Sequence, residues 1–152
     1  MRPASAIAFA IAFSPQVAFA AEEDAKSAMV MWAAFECGTY AEMSGNRERQ
    51  AALFERGIAA GRRFLSAVEA GTITEEEHRK HVPYIVPLLT AGPSVDFVLG
   101  RIFESAMNAA YDDVVKEDMA GLPLPMEEWA NDDELKTSRA QLLYQRGNCE
   151  LF

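Results

Sequence analysis

The chain has 152 residues, 50% of them hydrophobic and 24% charged, and 14 Lys and Arg against 23 Asp and Glu leave a net charge of −9. That length suits one ordinary domain able to bury its own core. The acidic balance excludes general nucleic-acid binding, which needs a basic footprint, and favours solubility and the steering of cationic partners.

Residues 1–20 read as a cleaved secretory signal peptide. Arg2 is a short basic start, Ala4 to Phe13 is an apolar run that Pro15 breaks, and Ala18-Phe19-Ala20 offers the small residues a signal peptidase needs. The run is too short to cross a bilayer, which takes about 20 apolar residues. Residues 21–152 are expected as a single all-α domain in the periplasm or the medium, with no membrane span. Arg2 is the only charged residue of the first 20, so this part carries −10.

The elements follow in order. Strand signals are nearly absent, and a bundle of four to five helices is expected. A first helix over about 22–43 shows two apolar faces, Met29, Trp32 and Phe35 on one and Val30, Ala33, Cys37 and Tyr40 on the other, which suits a central helix. Glu22, Glu23 and Asp24 suit the positive end of its dipole. Ser44-Gly45-Asn46 ends it.

A second helix over about 47–70 carries the stripe Leu53, Phe54, Gly57, Ile58, Gly61, Phe64, Leu65 and Val68. Gly57 and Gly61 on that stripe predict a second backbone packed close by, since each Gly costs roughly 1 kcal/mol against Ala in a helix. Thr74 to Glu77 reads as a capping box opening a short helix to about His81. Pro83 and Pro87 bracket a helical turn or extended connector.

Ser94 caps a long helix from Val95 to about Met119, with Val98, Leu99, Ile102, Phe103, Ala106, Ala110 and Val114 as its stripe. Gly121 to Pro125 reads as a stiff linker. A last helix covers roughly 133–145, and Asn148 to Phe152 form a tail. Cys37 and Cys149, the only cysteines, are expected to form one intramolecular disulfide in an oxidising compartment, tying the first helix to that tail.

Candidate chemistry is sparse. His78 and His81 are the only histidines and sit three apart on the short helix; a metal site needs at least one more ligand, which the neighbourhood does not supply, so they read as solvated. Arg49, Arg56 and Arg63 recur every seven residues along the second helix, with Arg62 on the same flank. They form a positive stripe for an anionic partner, or pair with acids of the same molecule. Residues 104–134 supply such acids, Asp112, Asp113, Glu117 and Asp118 among them, against the single base Lys116, and a homodimer would let stripe and acids meet across its interface. No haem, nucleotide-phosphate or dinucleotide motif occurs, and no cofactor is expected.

Together these features describe an exported, non-catalytic protein-binding module such as an inhibitor, immunity or adaptor protein. Three alternatives share the description: an acid-stress chaperone, a carrier of a small hydrophobic ligand and, with the least support, a metal-dependent hydrolase built on the histidine pair.

Overall fold

The computed structural model describes residues 15–152, and these are all-helical, without a strand. The six helices are α1 (Pro15–Met43), α2 (Arg47–Glu69), α3 (Glu75–His81), α4 (Val86–Leu89), α5 (Val95–Val115) and α6 (Asp133–Arg146), with 3-10 turns at Met126–Glu128 and Cys149–Leu151. The short helix α4 is not among the expected helices: it begins at Val86, the last residue between the two prolines, and runs on through Pro87 in its first turn. Arg2 and the apolar run to Phe13 lie outside the described residues.

α1 is already helical at Pro15, ahead of the expected Glu22, and runs unbroken past the expected cleavage position. The three acids therefore fall inside the helix and not in its first turn. Glu22 and Glu23 pair with Lys26 one turn on, and Asp24 pairs with Arg63 of α2.

α1 is the central helix: α2 packs along it, and α3, α5, α6 and the tail all touch it. Its buried positions include Ala25, Ala28, Met31, Ala34, Phe35, Cys37, Tyr40 and Ala41. Met29, expected on a core face, is exposed. The glycines of α2 admit side chains and not a backbone. A Cβ at Gly57 would collide with the Phe35 ring, and one at Gly61 with Leu99 and Met31. Gly38 of α1 faces the backbone of α2 only at ordinary contact distance, its Cβ position lying 3.7 Å from the Gln50 carbonyl oxygen.

Two apolar clusters follow one another along α1. The first joins Ala28, Met31 and Phe35 to Phe64, Leu65, Val82, Val86, Val98, Leu99 and Ile102. The second joins Cys37, Tyr40 and Ala41 to Leu53, Ala110, Val114, Ala140, Tyr144 and Cys149. Burying each large aliphatic or aromatic side chain contributes about 1.5–3 kcal/mol.

α5 stops at Val115, short of Met119. Asp118 Oδ1 accepts from the backbone N–H of Ala120 and Leu122, which folds the chain back. The Leu124 N–H then donates to the Lys116 carbonyl at 2.7 Å, so the expected linker is a hydrogen-bonded turn packed on the helix end. Arg139 of α6 donates to the carbonyls of Val114 and Glu117, satisfying the open end of α5. Cys37 and Cys149 are bonded, with Cα atoms 5.5 Å apart, inside the usual range.

Candidate functional site

A largely apolar cavity opens along α1 at the edge of the first cluster, beside Phe35 and Phe103. Its floor is α1 (Phe35, Gly38, Thr39, Glu42), one wall is α2 (Gln50, Ala51, Phe54) and the other is Phe103 of α5. The volume is about 340 Å³. The three phenylalanines meet in pairs, with ring centroids 5.3 Å apart for Phe35–Phe103, 5.2 Å for Phe54–Phe103 and 6.0 Å for Phe35–Phe54. The first two pairs are edge-to-face, a geometry that adds about 0.5–1.5 kcal/mol beyond burial and stiffens the walls. Phe35 is buried, whereas Phe54 is 41% exposed and presents its ring at the mouth. Thr39, Glu42 and Gln50 are the polar groups of the lining. The buried Thr39 hydroxyl already donates to the Phe35 carbonyl at 3.1 Å, which leaves Gln50 and the exposed Glu42 to meet a visitor.

Beside Phe35, α1 carries a stripe of polar atoms at one-turn spacing. The Trp32 indole N–H donates to Glu36 Oε1 at 2.6 Å, and the Tyr40 hydroxyl donates to Asp113 Oδ2 of α5 at 2.5 Å. Burial pushes the Glu36 carboxyl up to about 7; the Trp32 hydrogen bond pulls the other way and the Asp113 charge adds to the rise. Burial first, then the Asp113 hydrogen bond, raises the Tyr40 phenol above its ordinary range and keeps it a donor. Glu117 is raised by burial and by Asp113, whereas Asp118, a few residues into the turn, is lowered by the backbone N–H groups it accepts.

The residues singled out from the sequence fall elsewhere. Arg62 pairs with Asp96 at 2.5 Å and Arg63 with Asp24 at 2.6 Å. Arg56 lies over the Phe152 ring, 5.8 Å from its centre. Arg49 Nε donates to the Tyr144 hydroxyl, and its terminal nitrogen donates to carbonyls of the tail. The stripe thus meets acids of its own chain at three positions, Arg49 with Glu150 at 3.9 Å, Arg62 with Asp96 and Arg63 with Asp24, though not those of 104–134. Asp112 pairs with Lys116, Asp113 accepts from Tyr40 and Asp118 shapes its turn. His81 is 3.9 Å from Glu22, and Glu77, the carboxylate nearest the histidine pair in sequence, closes the Thr74 capping box. Among the described residues no three His, Cys, Asp or Glu side chains gather as metal ligands would.

The groove and the Trp32–Glu36–Tyr40 stripe were missed by sequence reasoning. Four-residue spacing put the stripe on one side of α1, but nothing local named Asp113 as its partner. Phe54 and Phe103 look like ordinary core residues from periodicity. The chain matches no protein-family model, no curated protein and no solved structure.

Proposed function

We propose that the chain is an exported, non-catalytic binding module that recognises a protein partner through the phenylalanine groove. The observation that carries this reading is a cavity walled by rings from three helices, open at Phe54 and edged by Gln50 and Glu42. Such a site takes one large apolar anchor of a partner, the arrangement that dominates the energy of many interfaces. Net charge −9 and the carboxylate at the rim favour an anchor flanked by basic residues.

The same cavity supports a second reading. Its volume of about 340 Å³ lies at the lower end of small-ligand pockets, so a carrier of a compact apolar molecule uses the same walls. The acid-chaperone alternative draws less support. Proton uptake by Glu36 favours the folded state on acidification, whereas a chaperone released by acid needs its packing to loosen.

Phe54→Asp tests the site, because a partly exposed ring can be replaced without opening the core. Affinity capture from the native envelope with wild type, Phe54→Asp and the distant, exposed Phe97→Asp is the comparison. A protein retained by wild type and Phe97→Asp but lost with Phe54→Asp supports the binding reading. A partner held equally by all three removes the groove from recognition. A small molecule co-purifying with wild type and absent from Phe54→Asp selects the carrier instead.

A further inference from the structure

The tail is held by a side chain as well as by the disulfide. Arg49, on α2, sends Nε to the Tyr144 hydroxyl at 2.9 Å and one terminal nitrogen to the carbonyl oxygens of Cys149 (2.9 Å), Glu150 (3.1 Å) and Phe152 (2.6 Å). These carbonyls belong to the last turn of helix, where only that of Cys149 accepts within the turn, from the Phe152 N–H at 3.5 Å, and a guanidinium is a planar multiple donor suited to such a cluster. The turn is entered through Asn148, in the left-handed region at φ 51°, so the chain reverses sharply just before Cys149. Cys149 is fully buried and Cys37 nearly so. None of the Arg49 bonds involves sulfur.

We propose that Arg49 is a positioning residue for the disulfide: it docks the tail on α2 and Tyr144 before oxidation, and so sets Cys149 beside Cys37. Closure then proceeds by exchange with a small-molecule disulfide. One cysteine thiolate attacks the incoming S–S bond and releases one thiol. The second cysteine thiolate attacks the mixed disulfide and releases the other. Both cysteines are oxidised, the two sulfurs of the incoming disulfide are reduced, and the two cysteine protons leave on the released thiols. Docking raises the effective concentration of the second thiol, the quantity that decides how readily the ring closes.

The test is the thiol–disulfide equilibrium of the full chain in glutathione buffers, read by alkylation and mass. Arg49→Ala is expected to lower the effective concentration about tenfold or more, and Arg49→Lys, which keeps the charge and loses the fork, by an intermediate factor. Exposed Arg47→Ala on the same helix should stay within twofold. Equal values for Arg49→Ala and wild type overturn the proposal. Amide exchange in Cys37→Ala/Cys149→Ala protein guards against a folding defect in the Arg49 variants. Protection of Leu151 and Phe152 without the disulfide supports prior docking, and exchange at the rate of an unstructured peptide overturns it.

Discussion

The two halves of the bundle are held by different means. Around Phe64, Leu99 and Ile102 the packing is apolar, and the nearby ion pairs, Arg62–Asp96 and Arg63–Asp24, lie at the surface, where such pairs contribute about 0–1 kcal/mol. Around Cys149 the packing is reinforced by a covalent bond, the Arg49 cluster, the Tyr40–Asp113 hydrogen bond and the Arg139 contacts to the end of α5. The difference follows from α6. Only Ala140 and Tyr144 of that helix are buried, too little apolar surface to hold a 14-residue helix in place. Where burial is thin, a bond and directed donors fix the geometry.

Removing the disulfide should break this comparison most strongly. Its cysteines are 112 residues apart, and releasing a loop of that size costs about 4–5 kcal/mol in the chain-entropy description. Cys37→Ala/Cys149→Ala should therefore melt roughly 10 °C or more below wild type. The two tryptophans report separately, since Trp32 packs on the first cluster and Trp129 on the second. In single-tryptophan variants the two urea transitions should coincide with the disulfide present. Without it, the Trp129 transition should come first. Coincident transitions in both backgrounds would mean that the halves unfold as one unit whatever joins them.

Glu36, at the junction of the halves, gives the next largest effect. Its folded-state value of about 7 stands above its ordinary 4.5, so the native state holds a proton that the unfolded chain releases between those limits. The sign follows: the stabilisation is fully present below pH 4.5 and is lost as pH rises through 7. The full shift corresponds to about 3 kcal/mol, and screening of a half-buried group reduces this to roughly 2 kcal/mol. Glu36→Gln should flatten stability between pH 5 and 8 by about that amount, measured by urea unfolding across the range. An unchanged slope would assign the pH dependence to other carboxylates.

Legibility in the sequence followed the range of the interaction. Caps are local, and Asn46, Thr74, Ser94 and Asp132 each accept from the backbone three residues on. The stripe of α5 is periodic, and all of it is buried except Phe103, which is partly so. The disulfide followed from there being one possible pairing. The site was hidden because it depends on which faces meet. Phe54 and Phe103 share the stripes of α2 and α5 with core residues, and only the meeting of both helices with α1 beside Gly38 leaves their rings lining a cavity. Arg49 was visible as a charge, but its partners lie up to 103 residues away and are mostly backbone carbonyls, which leave no mark in a sequence.

The smallest expected effect concerns the half that lacks the bond. Thr74 accepts from the Glu77 N–H at 3.2 Å, and Glu77 accepts in return from the Thr74 N–H at 2.9 Å, closing both ends of the capping box. α3 has only seven residues and no buried side chain, so this cap is a large share of what makes it helical. Thr74→Ala should cost about 1 kcal/mol. The loss should appear first as faster amide exchange at His78 and Val82, whose N–H groups donate to Thr74 and His78. Val82, just past the end of α3, packs on the first cluster, so fraying of the helix reaches the core through it. If exchange quickens at His78 and not at Val82, the core and not the cap holds the end of α3, and apolar packing alone then accounts for that half of the molecule.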